Sequence, residues 1–316
     1  MPTATIDAPG KINLTLEILG VRPDGYHELR SVVMPVSLYE TVTVTTREDD
    51  AVTCETVGEG VDASELATLP AERQLAVKAV RAMQRRLGRT GRGSGCDVRV
   101  VKRVPIGAGM GGGSADAAGA LACLRALWAP DLPEEDLLAA GAECGSDVPA
   151  MLAGGAVLME GRGERVRRLL APDEHPAPMW LVAVFPGYHV STKEVYGLLD
   201  RPDPRTGGLT KSPGVCENCA RSVRNGDPRA CARSLFNGLQ DTVNKLHPPT
   251  ERFCLALGRG GALGSLLTGS GSAVYGLAES ERPANEIRRS LGGEVWSNVL
   301  RTLPDGVMAA HGPLVP

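Results

Sequence analysis

The sequence predicts an α+β fold of two domains with a cleft between them. The chain has 316 residues, which is too long for most single domains and suits two compact ones. Its hydrophobic content is 42%, but aromatic residues make up only 3%, so a soluble globular protein with a mostly aliphatic core is expected. Segments with the periods of strands and helices follow one another irregularly, which favours two α+β layers over a regular βαβ array.

Composition and charge exclude several classes of protein. The 34 basic and 37 acidic residues give a formal net charge of −3, so no nucleic-acid partner is expected. The basic stretch 81–103 is interpreted as a solvated helix face and loop, with attraction of an anionic substrate as the alternative. No apolar run reaches the roughly 18 residues of a spanning helix. Because the strand pattern begins at residue 4, no signal or transit peptide is expected. With eight cysteines mostly in apolar patterns, we expect free thiols in a cytoplasmic protein without a membrane partner.

Apolar periodicity places the elements of the first half in order. Residues 4–19 break at Pro9-Gly10 and predict two short strands around a turn. The β-branched stretch within 32–46 predicts a strand with one solvated face, and residues 72–87 predict an amphipathic helix. The further elements are a Gly/Arg-rich loop at 88–95, a strand at 96–104, helices at 114–128 and 133–144, and a strand at 154–159.

The domain boundary is placed where the pattern loosens into charge and proline, between residues 162 and 178. We expect an N-terminal domain over 1–162 and a C-terminal domain over 163–316. The second half opens with an apolar strand at 180–185 and alternates helices and strands to about residue 303. A polar tail follows.

A glycine-rich segment at 105–114 predicts a phosphate-binding loop. It contains five glycines within residues 107–113, which let backbone amides approach a ligand closely. It joins a predicted strand to a predicted helix, and the N-terminus of that helix presents unpaired N–H groups with partial positive charge. Ser114 is expected to cap the helix or to contact a phosphate-bound cation. A glycine-rich turn without a ligand is the alternative, but it would cost conformational entropy without improving packing.

Two other nucleotide motifs are excluded. Gly107, Gly109 and Gly112 spell G-x-G-x-x-G, but the preceding strand is amphipathic, whereas dinucleotide-binding strands are buried on both faces. No strand ending in an acid follows about 20 residues later. The segment is also not a Walker A loop, because no Gly-Lys-Ser/Thr follows it.

Three motifs together resemble the GHMP kinase superfamily. They are Ala-Pro-Gly-Lys-Ile-Asn-Leu at 8–14, the glycine-rich segment at 105–114, and Leu-Thr-Gly-Ser-Gly-Ser-Ala-Val at 267–274. The resemblance implies a two-domain GHMP-kinase fold, with ATP bound by the N-terminal domain and an active-site cleft between the domains.

Two further segments narrow the resemblance, which covers roughly residues 4 to 303. Arg-Pro-Asp-Gly-Tyr-His-Glu-Leu at 22–29 and Gly-Ser-Asp-Val-Pro at 145–149 are similar to signatures of the 4-diphosphocytidyl-2-C-methyl-D-erythritol kinase family. This implies phosphorylation of the C2 hydroxyl of a cytidine diphosphate-linked methylerythritol by ATP, giving the 2-phosphate and ADP, in the non-mevalonate isoprenoid pathway. The alternatives are a GHMP kinase for homoserine or mevalonate and a non-catalytic GHMP-fold sensor. Tyr26-His27 disfavours the first, and Lys11 with Asp147 disfavours the second.

The resemblance assigns roles to individual residues. Asp147 is the expected catalytic base and Lys11 its catalytic partner, although by pattern alone Asp147 is more often a turn or cap residue and Lys11 a solvated strand residue. The predicted ATP-binding residues are Pro105, Ile106, Gly107, Ala108, Gly109, Met110, Gly111, Gly112, Gly113, Ser114 and Ala115. The predicted substrate-binding residues are Asn13, Tyr26, His27, Tyr196, Gly269, Ser270 and Gly271, of which Tyr26 and Tyr196 would be aromatic walls for the cytosine.

Metal binding by the protein itself is not expected. The five histidines are dispersed, and any metal would be Mg²⁺ arriving with ATP and held partly by water and phosphate. Cys216, Cys219 and Cys231 could be read as zinc ligands, with the distant His247 as the one candidate for a fourth. Ordinary packing is favoured, because Cys216 and Cys219 have the i, i+3 spacing of one helix face. Two segments depart from the family pattern: Gln74-Leu75 replaces Asn-Leu near the adenine, and 236–240 ends in Gln rather than Glu.

Overall fold

The computed structural model describes residues 1–199, 214–293 and 295–304. Within these residues the strands form one eight-stranded and one four-stranded sheet. The strands of the first sheet are β1 (Thr3–Asn13), β2 (Thr15–Val21), β3 (His27–Thr46), β4 (Val52–Gly58), β5 (Cys96–Lys102), β6 (Val157–Gly161), β7 (Arg165–Arg168) and β9 (Phe236–Asn237). The strands of the second sheet are β8 (Trp180–Phe185), β10 (Gly264–Leu267), β11 (Val274–Ala278) and β12 (Trp296–Arg301).

The described helices fall into two groups along the chain. Residues that recur on one helix face are buried, as Ala79 and Met83 are, whereas Lys78, which precedes them, is exposed. The first half contains α1 (Ser64–Thr68), a 3₁₀ turn (Ala71–Arg73), α2 (Leu75–Leu87), α3 (Gly112–Trp128), α4 (Glu134–Cys144) and α5 (Val148–Ala153). The second half contains α6 (Thr192–Leu199), α7 (Val215–Arg224), α8 (Pro228–Ala232), α9 (Gln240–Leu246), α10 (Pro248–Arg259) and α11 (Glu281–Ser290).

Strand β3 organises the first sheet because it is long enough to pair with four others. Strands β1 and β2 pair antiparallel with successive parts of it, and so do β5 and β6. At the outer edge, β4 runs parallel to β5. The two-residue strand β9, from the second half of the chain, runs parallel to β2. The first sheet therefore contains residues from both halves.

The segment 4–19 differs from its prediction. Pro9-Gly10 does not form a turn, since β1 continues through it to Asn13 with a register shift between Pro9 and Lys11. Between these two pairs β1 advances by two residues and β3 by four, from Tyr39 to Pro35, so the pairing is irregular at Pro9-Gly10. The prediction of two strands around a turn was therefore wrong at Pro9-Gly10.

Three large groups of buried side chains stabilise the molecule. The first lies between the first sheet and helices α2, α3, α4 and α5. The third combines the second sheet with residues of α6, α9, α10 and α11 and with Leu16 and Ile18 of β2. The group between them combines Ile12 and Met34 of the first sheet with Leu181 and Tyr275 of the second. Because these side chains are fully or almost fully buried, this middle core joins the two sheets directly.

Candidate active site

A cavity of about 1080 Å³ lies where the predicted motifs meet. Apart from Ala115, every predicted site residue lines it. Ala115 is fully buried inside α3, where it belongs to the first core group. The lining residues from the prediction are Lys11, Asn13, Tyr26, His27, Pro105, Ile106, Gly107, Ala108, Gly109, Met110, Gly111, Gly112, Gly113, Ser114, Asp147, Tyr196, Gly269, Ser270 and Gly271.

The glycine-rich loop has a conformation that requires glycine. Gly107, Gly109 and Gly111 have φ values of +67°, +75° and +74°, which L-residues with a side chain rarely adopt. Space is also limiting, since a Cβ on Gly109 would lie 2.3 Å from the Thr268 carbonyl oxygen. The loop thus brings its backbone to the cavity without side chains in between.

Helix α3 begins at Gly112, with Gly111 in the N-cap position and no side-chain cap. The expectation that Ser114 caps this helix was wrong, because Ser114 lies inside the first turn. The first N–H groups of α3 consequently have no capping side chain and border the cavity, as a site for phosphate oxygens requires.

Both halves of the chain hold the loop in place. From β1, the Lys11 amide donates to the Met110 carbonyl at 2.8 Å, and the Lys11 ammonium donates to the Gly109 carbonyl at 2.8 Å. From the third motif, the Ala273 amide donates to the Ala108 carbonyl at 3.0 Å, and the Thr268 hydroxyl donates to the Gly109 carbonyl at 3.3 Å. Thr268 was not among the predicted residues, although it lies within the third motif.

Lys11 and Asp147 form an ion pair at the centre of the cavity. The distance from Lys11 Nζ to Asp147 Oδ2 is 3.4 Å, and the Lys11 side chain is only 4% exposed, whereas the Asp147 side chain is 30% exposed. Asp147 occupies the N-cap position of α5 but makes no capping hydrogen bond with its side chain. Its carboxylate therefore remains available to a ligand.

Asn13 is the third polar group at this centre. Its Oδ1 accepts a hydrogen bond from Lys11 Nζ at 2.7 Å, and its Nδ2 donates to the Ser31 hydroxyl at 2.8 Å. Lys11 and Asn13 thus lie on the same side of β1, as their spacing of two residues predicts. Ser31 was missed because it belongs to none of the motifs.

The predicted aromatic residues line one end of the cavity. The two rings in contact are those of His27 and Tyr196, rather than those of the two predicted walls, Tyr26 and Tyr196. The His27 and Tyr196 rings lie 4.7 Å apart between centroids. Tyr26 is 57% exposed, and the Arg162 guanidinium carbon lies 4.9 Å from its ring centroid. Burial raises the pKa of Tyr196, and the charge of Asp147 adds to the rise, so this ring is close to the central carboxylate.

Two members of a buried charged cluster that sequence reasoning missed, Lys102 and Asp116, also line the cavity. The Lys102 ammonium lies 2.7 Å from Glu40 Oε1 and 2.8 Å from Asp116 Oδ2. Burial raises the pKa of Glu40 to about 7, although the Lys102 charge opposes the rise. The alternation of β5 could have revealed Lys102, because it continues the buried face of Cys96, Val98 and Val100.

Gln74 stands where the family pattern has Asn. It precedes α2, where its Oε1 accepts a hydrogen bond from the Thr56 hydroxyl at 3.0 Å. Gln74 and Leu75 both line the cavity. The departure from Asn-Leu at this position therefore keeps a polar amide at the cavity wall.

The third motif forms the remaining wall. The Ser270 hydroxyl lies 2.7 Å from the Thr192 hydroxyl at the start of α6. Asn237 Nδ2 donates to the carbonyl oxygens of Leu267 and Gly269, each at 2.8 Å. Gln240 Oε1 accepts the Leu267 amide at 2.8 Å, a contact that the carboxylate of the more usual Glu could also make.

The cysteines considered as zinc ligands lie in the middle core. The Cys219 and Cys231 sulfurs are 4.0 Å apart, while the Cys216 thiol lies 3.1 Å from the Thr15 hydroxyl and the Glu17 carboxylate. Across the described ranges, no group of three or more His, Cys, Asp or Glu side chains is arranged to hold a metal ion. None of the described helices is both long and apolar enough to cross a membrane.

Comparison with known proteins identifies the family. Residues 74–155 match the model of the GHMP kinases N terminal domain, and residues 218–298 match that of the GHMP kinases C terminal. The chain is 36% identical to the 4-diphosphocytidyl-2-C-methyl-D-erythritol kinase of Mycolicibacterium smegmatis, across 98% of this chain and 92% of that protein.

Solved structures agree with this relationship. A crystal structure of 4-(cytidine 5'-diphospho)-2C-methyl-D-erythritol kinase superposes with a TM-score of 0.70 at 31% identity, covering 94% of this chain and 98% of the other. Homoserine kinase from Cytophaga hutchinsonii shares the fold, with a TM-score of 0.74 at 18% identity, over 99% of this chain and 97% of the other. The chain belongs to the GHMP kinases and, within them, to the 4-diphosphocytidyl-2-C-methyl-D-erythritol kinase family.

Proposed function

We propose that this kinase transfers the γ-phosphoryl group of ATP to the C2 hydroxyl of 4-diphosphocytidyl-2-C-methyl-D-erythritol. The observation that carries the proposal is the Lys11–Asp147 pair, with 3.4 Å between Nζ and Oδ2. The pair lies in one cavity with a phosphate-binding loop and an aromatic pocket. The reaction would belong to the non-mevalonate route to isoprenoids, and the eight free cysteines suit a reducing cytoplasm.

The triphosphate would lie along the glycine-rich loop. The uncapped N-terminus of α3 offers N–H groups and partial positive charge to the phosphate oxygens. The Lys11 ammonium, 2.8 Å from the Gly109 carbonyl, is close enough to the loop to contact a phosphoryl oxygen as well. Charge of this kind, fixed before the reaction, is the main contribution that proteins make to phosphoryl transfer.

The acceptor hydroxyl would lie against Asp147. Its oxygen forms a bond to the γ-phosphorus while the bond from that phosphorus to the bridging oxygen of ADP breaks in line. The hydroxyl proton passes to the Asp147 carboxylate. Lys11 would stabilise the negative charge on the transferring group, and Asn13 would hold the polyol by its amide.

The residues near the loop are compatible with Mg²⁺ brought by ATP. The Ser114 hydroxyl lines the cavity within the first turn of α3 and is not used as a helix cap. Ser114 would hold the ion together with water and phosphate oxygens, which are the hard ligands that Mg²⁺ prefers. When bound, the ion neutralises charge on the β- and γ-phosphates.

The cytidyl group would occupy the aromatic end of the cavity. Tyr26 supplies one exposed ring, and His27 and Tyr196 form an aromatic pair. Aromatic faces suit a planar base, and the His27 ring adds nitrogen atoms that can hydrogen-bond to a pyrimidine edge. Homoserine and mevalonate have no base to use this pocket.

Production of ADP tests the proposed function directly. The assay compares the purified protein with the cytidyl substrate, with homoserine and with mevalonate, each at equal concentration with Mg²⁺ and ATP. We expect ADP and a 2-phosphate product, identified by ³¹P NMR, from the cytidyl substrate only. Turnover of homoserine or mevalonate at a comparable kcat/KM would refute the proposed specificity.

The role of Asp147 gives a first prediction. Asp147→Asn should lower kcat by about a hundredfold or more, because the carboxylate that accepts the proton is lost. Binding of ADP, measured by calorimetry, should stay within about threefold of the wild type, because the loop is unchanged. Asp136→Asn on α4, which removes an exposed pairing with Arg86, is the matched control and should keep full activity. A fully active Asp147→Asn protein would exclude the proposed base.

A further inference from the structure

A turn next to the central carboxylate presents one arginine to the cavity. The turn joins β6 to β7 and consists of residues 162–164. Its Gly163 has a φ of +113°, and a Cβ there would lie 2.6 Å from the carbonyl oxygen of Ser146, the neighbour of Asp147. The Arg162 amide donates to the Glu164 carboxylate at 2.6 Å. The backbone beside Arg162 therefore packs closely against the segment that carries Asp147.

The Arg162 side chain lies over the Tyr26 ring. Its guanidinium carbon is 4.9 Å from the ring centroid, which is within the range of a cation–π contact. Both residues line the cavity that contains Asp147. Tyr26 is 57% exposed and follows Gly25, whose φ is +80°, so its ring lies on an exposed turn with little packing to hold it.

A second arginine links the β2–β3 hairpin to the β6–β7 hairpin at a different place. Arg165 Nη2 lies 2.7 Å from Glu28 Oε1, and the other oxygen of that carboxylate lies 2.5 Å from Arg22 Nη1. Arg165 is 59% exposed, and an ion pair of this kind contributes little. Arg165 does not line the cavity as Arg162 does, and it therefore provides a natural control.

We propose that Arg162 is a positioning residue that determines affinity for the nucleotide-linked acceptor. Its guanidinium fixes the plane of the Tyr26 ring before the substrate arrives, so that the base meets a preformed face. Ordering an exposed ring during binding weakens affinity, and a contact that orders it beforehand removes that cost. This inference rests on the proposed function, since it requires a base in the pocket.

The first test measures steady-state kinetics of Arg162→Ala. We expect the KM for the cytidyl substrate to rise about three- to tenfold, while kcat and the KM for ATP stay within about twofold of wild-type values. Arg162→Lys, which keeps a cation near the ring, should recover most of the affinity. Arg165→Ala should leave all three constants within about twofold. An unchanged KM in Arg162→Ala would overturn the proposal.

A double-mutant cycle separates positioning from direct contact with the substrate. If Arg162 acts through the ring, Arg162→Ala should change KM less than twofold in a Tyr26→Ala background but retain its full effect in Tyr26→Phe. An equal effect in the Tyr26→Ala background would show that Arg162 binds the substrate by itself and would overturn the positioning role. Failure of the proposed function is a separate result, because the wild-type protein would then not consume ATP with the cytidyl substrate.

Discussion

Lys102 is a lysine with 1% exposure that lies between two buried carboxylates. If both acids were ionised, the group would carry a net negative charge beneath the first turn of α3, where phosphate is expected. Its closeness to that turn is shown by Gly112, since a Cβ there would lie 2.9 Å from Glu40 Oε1 and 3.2 Å from Lys102 Nζ. Burial raises the pKa of both Glu40 and Asp116, so the cluster favours holding a proton.

The raised pKa of Glu40 predicts a dependence of stability on pH. A carboxyl with a pKa of about 7 in the folded state, against its ordinary value of about 4.3 when unfolded, binds more protons when folded within that interval. The free energy of unfolding should therefore fall as pH rises from about 4.5 to 7, by on the order of 3 kcal/mol from this group.

Glu40→Gln isolates this effect because Gln resembles the protonated acid and does not titrate. Relative to the wild type, Glu40→Gln should gain stability as the pH is raised from 5 to 8, in urea unfolding monitored by circular dichroism. Glu72→Gln, which affects an exposed pairing with Arg81, should show no such trend. Parallel pH profiles for the wild type and Glu40→Gln would rule out titration of Glu40 in this range.

At this scale the sequence predicted the groups that belong to motifs and missed those that act through packing. Lys11, Asn13 and Asp147 were named from short patterns, and the structure brings them together in one cavity. Glu40 and Asp116 lie far apart in the chain, and only the pairing of β3 with β5 and the packing of α3 brings them to Lys102. A pattern within one segment does not show which residues of other segments it will contact.

The elements show where local signals suffice. Strand β8 has the predicted bounds because it lies in a continuous apolar run between Pro178 and Pro186. Helix α3 begins at Gly112, two residues before the predicted start. Because glycine is a poor helix former, the sequence predicts a start at Ser114. In the structure the first turn includes Gly112 and Gly113, and tertiary contacts hold it in helical form. Strand β1 continues through Pro9-Gly10 because its pairing with β3 outweighs the local turn signal.

The glycine-rich loop provides a prediction for an element. Gly109→Ala should raise the KM for ATP at least tenfold, because the added Cβ would meet the Thr268 carbonyl at 2.3 Å and the φ of +75° disfavours any side chain. Gly60→Ala is a matched control, with a φ of +72° but no atom within 4 Å of the added Cβ. It separates backbone strain from collision and should leave the KM for ATP unchanged. Equal behaviour of the two variants would contradict the proposed collision.

The molecule as a whole depends on links that cross between its two sheets. Strand β9 adds residues of the second half to the first sheet, and the middle core buries side chains of both. None of these links could be predicted, since β9 has only two residues and no strand pattern. The motifs still predicted that both halves form the cavity, and the lining residues agree with this. The boundary at 162/163 stays a prediction, and β7 pairs with β6 in the first sheet beyond it.

Asn237 provides a prediction at this scale. Its side chain donates to the Leu267 and Gly269 carbonyls and accepts from the Leu239 amide. Asn237→Ala would leave these buried groups unpaired, so the free energy of unfolding should fall by about 2–4 kcal/mol. The KM for the acceptor should also rise, because Gly269 lines the cavity. Asn285→Ala, on an exposed helix face, should change stability by less than about 0.5 kcal/mol. Equal stability of the two variants in urea would exclude this link.

The hydrogen bonds from Thr268 and Ala273 to the glycine-rich loop have a consequence for synthesis. A ribosome makes the loop about 160 residues before it makes these two donors, as their positions in the chain require. A nascent chain can therefore pair β1 with β3 long before the Ala108 and Gly109 carbonyls obtain their partners. These contacts to the glycine-rich loop are complete only when residue 273 has left the exit tunnel, so the proposed ATP site cannot be finished while only the first half of the chain has been made.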